Sequence, residues 1–81
     1  MKKTADLSTR NMIGDRLRVL RLAQTPAVTL EDLAGKLAAQ GVRLDRSAVG
    51  RIENGNRYVL DYELWALAKA LRVEPGALFR R

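Results

Sequence analysis

Two arginines, a serine, a glycine and an asparagine share one side of a short predicted helix near the middle of the sequence. Ser47, Gly50, Arg51 and Asn54 fall at i, i+3, i+4 and i+7, with Arg46 beside them at the start, and such spacing places side chains on one face. An arginine guanidinium can donate two parallel hydrogen bonds to O6 and N7 of a guanine base. Gly50 destabilises a helix interior by about 1 kcal/mol relative to alanine, but its backbone can approach a base edge or a phosphate closely. An ordinary solvent-exposed face is also polar, so both interpretations stay open at this point.

The charge of the chain favours a polyanionic partner. Its 81 residues include 15 Lys and Arg against 9 Asp and Glu, which gives a net charge of +6 and an isoelectric point near 10.5. A small basic domain attracts polyanions, of which nucleic acid is the commonest. Many small proteins are also basic for solubility, so the charge by itself supports either interpretation.

The absent residue types argue against catalysis. The sequence has no cysteine and no histidine, so it lacks disulfides, thiolate metal ligands and the usual general base. A chain of this length is expected to form one domain with one modest core and no large substrate cleft. We therefore expect a protein that is not an enzyme and that needs no metal ion and no cofactor.

The sequence indicates neither a membrane span nor a secretory signal. No run approaches the roughly 18 consecutive apolar residues of a transmembrane helix, and no apolar stretch follows Lys2 and Lys3. Residues 1–11 are expected to form a polar N-terminal arm and residues 12–81 the folded domain. The protein is expected in the cytoplasm.

Apolar residues at helical spacing predict the elements that position the central face. A first helix is expected to begin at residue 11 or 12 and to end at residues 24–26, because the residue before Pro26 is displaced from the α region. The second helix has the clearest start, with Thr29 as N-cap and Asp32 three residues later, the spacing of a capping box. Gly41, which adopts the left-handed conformation without penalty, is expected to end it.

Three further helices are expected in the second half of the chain. Asp45 caps the third, which stops at Asn54 and Gly55, and the fourth covers residues 61–72. The apolar stripe of the fourth helix consists of Leu60, Leu64, Leu67, Ala68 and Leu71. Pro75 suits the first turn of a short fifth helix, whose Ala77, Leu78 and Phe79 are expected to close the core. The fold class is therefore all-α, with five helices.

Three motifs, in this order, resemble the phage-repressor or Cro-like (XRE) helix-turn-helix family. They are VTLEDLAGKL at residues 28–37, RSAVGRIENGNR at residues 46–57 and LAKAL at residues 67–71. The family signature has a TxxxLAxxL second helix, an SxISxIExG third helix and an LAKAL fourth helix, and the resemblance covers residues 12–79. It implies a five-helix, lambda-repressor-like DNA-binding domain in which helices two and three form the helix-turn-helix.

The resemblance also implies roles for individual residues, because the third helix of this family reads DNA bases. The positions that match its base-reading region are Arg46, Ser47, Gly50 and Arg51. Those that match its phosphate contacts are Thr29, Asn54, Gly55, Arg57 and Tyr58, with backbone N–H groups as donors at Thr29, Asn54 and Gly55. Arg21 and Glu53 match a structural ion pair that joins the first helix to the third.

The implied function is sequence-specific binding of double-stranded DNA by a transcription regulator. We expect a repressor that acts as a homodimer on a palindromic operator, with two third helices in successive major grooves. The alternative is the antitoxin component of a toxin–antitoxin pair, which would bind both operator DNA and a toxin protein. A pure interaction module that has lost DNA binding is a third alternative.

Trp65, one position off the apolar stripe, is expected to be partly buried or to lie at a subunit contact.

Three features depart from the family pattern. Leu30 stands where glutamine is usual, which removes a side-chain contact with phosphate. The link between the second and third helices is about five residues longer than the usual turn of three or four, so the family pattern does not fix how the third helix enters the groove. Gly50 replaces a small polar residue.

Overall fold

The computed structural model describes residues 9–80, and all regular structure in that part of the chain is helical. The α-helices are α1 (Gly14–Ala23), α2 (Leu30–Ala38), α3 (Arg46–Glu53) and α4 (Asp61–Ala70). The fifth predicted helix is a 3-10 helix, Pro75–Phe79, with a bond of 2.9 Å from the N–H of Ala77 to the carbonyl of Glu74. The all-α class is confirmed. The five-helix prediction is corrected to four α-helices and a 3-10 helix, the form that such short segments adopt.

Helix α1 begins later than expected, because Asn11 lies before the helix and binds its first N–H groups. The Oδ1 atom of Asn11 accepts hydrogen bonds from the N–H groups of Ile13 at 3.0 Å and Gly14 at 2.8 Å. Gly14 is packed against the end of α3, where a Cβ would collide with the carbonyl oxygen of Ile52. The helix ends at Ala23, as the proline at position 26 predicts.

The predicted N-terminal cap of α2 is confirmed, and the helix ends at Ala38, three residues before the predicted glycine. The hydroxyl of Thr29 accepts from the N–H of Asp32 at 3.0 Å, and the Asp32 carboxylate accepts from the N–H of Thr29 at 3.2 Å. Gly41 has φ +79°, the left-handed conformation expected of it.

The long link over residues 39–45 is packed against the body, since the Gln40 side chain donates to the carbonyl of Ala66 at 2.9 Å and Leu44 is buried.

The two ends of α3 also follow the sequence signals. The carboxylate of Asp45 accepts from the N–H of Ala48 at 2.8 Å, which satisfies one of the free donors of the first turn. The chain leaves the helix through Asn54 and through Gly55, whose φ is +77°. Val49 and Ile52 are completely buried, so they fix which face of α3 is turned outward.

The core is formed by aliphatic side chains from all five elements. Its fully buried large members include Leu17, Leu33, Leu37, Val49, Ile52, Leu67, Leu71 and Leu78. Two predicted core residues are wrong: Leu60 is 52% exposed because it is the N-cap of α4, and Phe79 is 47% exposed at the last position of the 3-10 helix. Trp65 is 56% exposed. Among residues 9–80, no helix is long and apolar enough to cross a lipid bilayer.

The described part of the predicted N-terminal arm is bonded to the folded body. Residues 1–8, which include Lys2 and Lys3, lie outside the described residues. The N–H of Arg10 donates to the carbonyl of Gly55 at 2.8 Å. The side chain of Asn11 donates to the carbonyls of Ile52 and Arg57 at 3.0 and 2.9 Å. The packed structure therefore begins before the predicted boundary at residue 12.

Candidate nucleic-acid interface

The outward face of α3 carries free cationic groups. Arg46, Ser47 and Arg51 are exposed and Gly50 is half-buried, whereas the buried side of the helix carries three apolar residues and one charged residue, Glu53. Neither guanidinium forms a hydrogen bond or an ion pair with any residue in the range 9–80. Five N–H donors on each arginine are thus available to an external acceptor. Asn54, one turn beyond Gly50, is exposed at the same end of this face as Arg51.

A buried ion pair joins α3 to α1. The Nε atom of Arg21 lies 2.6 Å from Oε2 of Glu53, and its Nη2 donates to Oε1 at 3.0 Å. A third bond runs from Nη1 of Arg21 to the carbonyl of Val28 at 2.7 Å, just before α2. The hydrogen bond with Glu53 raises the pKa of Arg21 above its ordinary value, although burial acts in the opposite direction. These bonds fix α3 relative to α1 and to the start of α2.

The fold itself does not require glycine at position 50. A Cβ built on Gly50 would meet only Cδ1 of Leu30, at the ordinary contact distance of 3.8 Å. The residue lies within α3 and has no positive φ. The absent side chain therefore leaves the backbone open to solvent on the face that carries Arg51.

The start of α2 is less suited to binding an anion than the family resemblance implies. The backbone N–H of Thr29, which was expected to reach a phosphate, donates to Asp32. Glu31 and Asp32 are both exposed in the first turn of α2, where their carboxylates repel a phosphate. The hydroxyl proton of Thr29 is the donor that this residue retains.

The backbone donors after α3 are already bonded within the protein. The N–H of Asn54 donates to the carbonyl of Gly50 and that of Gly55 to the carbonyl of Ile52, both at 3.0 Å. Gly55 is buried as a residue. In this conformation these N–H groups are not available to a phosphate, contrary to expectation, because they complete the C-terminal end of α3. The exposed side chains of Asn54 and Tyr58 remain available.

Arg57, also expected to contact phosphate, forms an ion pair with Glu63. Its Nη1 lies 2.8 Å from Oε1 of Glu63 and its Nη2 3.2 Å from Oε2. Nη1 also donates to the carbonyl of Tyr58 at 2.9 Å. The side chain of Arg57 is 28% exposed and that of Glu63 only 5% exposed, so the glutamate depends on this partner.

The sequence analysis missed three residues that shape this surface. Asn11 connects the start of α1 to the end of α3, Glu63 holds Arg57, and Arg10 lies over the ring of Tyr58, 5.9 Å from its centroid. Asparagine before an apolar helix start is a capping signal, so Asn11 could have been found from its type. The pairing of Arg57 with Glu63 has no such signal, because it depends on how the loop folds.

These features define a class of protein: an all-helical domain whose α2 and α3 form a helix-turn-helix, with the outward face of the second of these helices free to enter a DNA groove. Among residues 9–80 there is no group of three or more acidic side chains that could hold a metal ion.

Comparison with solved structures supports this class. The chain is similar to the restriction-modification controller protein C.AhdI from Aeromonas hydrophila, with 39% sequence identity and a TM-score of 0.69. The match covers 82% of this chain and 86% of the other. No family model matches the sequence, and comparison with curated proteins gives no significant match. The chain belongs to the XRE/Cro-like helix-turn-helix family of DNA-binding transcription regulators.

Proposed function

We propose that this protein is a sequence-specific regulator of transcription that controls restriction-modification genes by inserting α3 into the major groove of DNA. The observation that carries the proposal is that Arg46 and Arg51 have no partner among residues 9–80 on the exposed face of α3. The role in restriction-modification follows from the similarity to a controller protein of that kind. A toxin-binding role has no comparable observation in its favour.

Base recognition is assigned to the outward residues of α3. Arg46 and Arg51 would donate to the acceptor edges of guanine, and Ser47 would donate to or accept from a neighbouring base. Gly50 would allow the helix to lie close to the groove floor. The phosphate contacts expected at the loop after α3 would come from exposed side chains, Asn54 and Tyr58 among them, because the backbone donors are occupied.

The active form in this proposal is a homodimer acting as a repressor on a palindromic operator. Two α3 helices would then enter half-sites about one helical turn, or about 34 Å, apart. The exposed side chains of Tyr62 and Trp65 on α4 offer an apolar surface for the second copy, since they are 57% and 56% exposed. Such a regulator acts in the cytoplasm, where bacterial DNA lies.

Selection of bound sequences from random DNA duplexes tests the proposal. The wild-type protein should enrich a palindromic sequence, and Arg51→Ala should lose preference at one or two base pairs in each half-site, a loss of about 1–3 kcal/mol. Arg80→Ala, which removes an exposed charge after the 3-10 helix, serves as the control and should retain the preference. Absence of any binding to duplex DNA at low salt would overturn the proposal.

A further inference from the structure

A cation at the loop after α3 would strengthen its contact with DNA phosphates, and the arginine expected to provide it, Arg57, is paired with Glu63. Both ends of the Arg57 guanidinium are bonded to Glu63, whose side chain is almost fully buried. Moving the Arg57 side chain away to reach a phosphate would leave the buried carboxylate of Glu63 without a cation, which is strongly unfavourable. The ion pair therefore opposes movement of the Arg57 side chain toward a DNA phosphate.

Arg10 lies at the same loop and its charge is not neutralised. Its backbone N–H donates to the carbonyl of Gly55 at 2.8 Å, so the main chain holds the residue against the end of α3. Its guanidinium lies over the exposed ring of Tyr58, 5.9 Å from the centroid. The side chain of Arg10 has no ion pair within residues 9–80. A cation over the face of an aromatic ring keeps its N–H edges available to oxygen acceptors.

In the proposed binding mode, the length of α3 would place this loop beside the DNA backbone. An α-helix of eight residues is about 12 Å long, which is about the width of the major groove. If α3 crosses the groove, its end therefore lies near one of the two phosphate backbones that border the groove. Gly55 is the second residue after the end of α3, so its bond with the N–H of Arg10 would bring Arg10 to that backbone.

We infer that Arg10, aligned by its contacts with Gly55 and Tyr58, binds a backbone phosphate of double-stranded DNA next to the C-terminal end of α3. The inference rests on the proposed binding of α3 in the major groove. Arg10 then supplies the charge that the family resemblance assigned to Arg57. The contact is independent of base identity, because a phosphate carries no sequence information.

The salt dependence of binding to a random-sequence duplex tests the inference. Each phosphate neutralised by a protein cation contributes about 0.9 to the slope of log K against log salt concentration. Arg10→Gln should lower the magnitude of this slope by about that amount, while Arg10→Lys, which keeps the charge, should leave it nearly unchanged. The backbone bond to Gly55 persists in both variants, and thermal unfolding checks that both are folded.

Arg80→Gln is the matched control, because it removes the same charge from an exposed site after the 3-10 helix. An unchanged slope for Arg80→Gln together with a reduced slope for Arg10→Gln supports the contact. An equal reduction in both variants, or none for folded Arg10→Gln, overturns it. If the wild-type protein binds no duplex at all, the proposed function fails first, so the two failures are distinguishable.

Discussion

The guanidinium of Arg57 donates hydrogen bonds to both carboxylate oxygens of Glu63, at 2.8 and 3.2 Å, across the loop between α3 and α4. The same carboxylate accepts from the backbone N–H of Leu60 at 3.0 Å. The carbonyl of Arg57 accepts from the side chain of Asn11 at 2.9 Å. The loop is therefore bonded to the start of α4 and to the segment before α1.

Replacing Arg57 with alanine should reduce stability more than it reduces the salt dependence of DNA binding. The change leaves the buried carboxylate of Glu63 without its cation, which should lower the free energy of unfolding by about 2–3 kcal/mol. Urea denaturation of the two proteins measures the difference.

The double variant Arg57→Ala/Glu63→Ala separates the ion pair from general truncation. Because removing both partners leaves no unpaired charge, its loss should be smaller than the sum of the two single losses. A large drop in the salt slope for Arg57→Ala without loss of stability would contradict this account and restore Arg57 as a phosphate contact.

The Glu63 carboxyl should make stability depend on pH in the acid range. Burial by itself raises the pKa of Glu63, but the hydrogen bonds from Arg57 and from the N–H of Leu60 outweigh it and leave the pKa below its ordinary value. The unfolded chain therefore takes up this proton at higher pH than the folded chain does. The stabilisation is present above the unfolded glutamate pKa, about 4.3, and is lost as pH falls through the lower folded pKa.

Unfolding curves of the wild-type protein and Glu63→Gln, measured at several pH values, test this sign. The wild-type protein should have the larger free energy of unfolding. Its difference from Glu63→Gln should be greatest near neutral pH and should shrink below about pH 4. If this difference grew on acidification, the folded protein would bind the Glu63 proton more tightly than the unfolded chain does, contrary to the expected sign.

Alanine at two glycines should have opposite effects on stability. At Gly14 the new Cβ would collide with the carbonyl oxygen of Ile52 and lie 2.8 Å from that of Glu53, so α1 must move away from α3. We expect a loss of about 1–3 kcal/mol. At Gly35, within α2, nothing lies within 4 Å of the new atom, and alanine should stabilise the protein by about 0.5–1 kcal/mol. Thermal unfolding of both variants should show midpoints on either side of the wild-type value.

Gly50→Ala should separate stability from DNA binding. The Cβ fits against Leu30 at 3.8 Å, and alanine is the better helix former by about 1 kcal/mol, so the variant should be at least as stable as the wild type. If α3 lies close to the groove floor at this position, affinity should fall about tenfold, or about 1.4 kcal/mol. Tight binding by a stabilised variant would show that the helix backbone does not approach the bases at residue 50.

The elements that sequence reasoning predicted well are those with local causes. The capping box of Thr29 and Asp32, the cap at Asp45 and the left-handed conformation of Gly41 each depend on neighbouring residues, and each is present. The XRE/Cro-like resemblance, which rested on motifs at three successive helices, is confirmed by the match to a restriction-modification controller.

The features that sequence reasoning predicted poorly depend on packing between residues far apart in the sequence. Leu60 has the right spacing for the core stripe of α4, but it precedes the helix and is exposed. The partner of Arg57 is on another element, and nothing in the spacing distinguishes a free arginine from a paired one. The occupied N–H groups at Gly55 follow from the geometry of the turn after α3. The assignment of base contacts to Arg46 and Arg51 stays a prediction.

Trp65 is the only tryptophan in the chain, and it lies 56% exposed on α4 with the ammonium of Lys69 at 4.9 Å from its ring centroid. The tryptophan fluorescence of the protein therefore reports on the surroundings of this residue alone, and no attached dye is needed. If two copies associate through α4, the emission maximum should shift to shorter wavelength as the protein is concentrated. The same spectrum recorded across a dilution series then yields the dissociation constant of the pair.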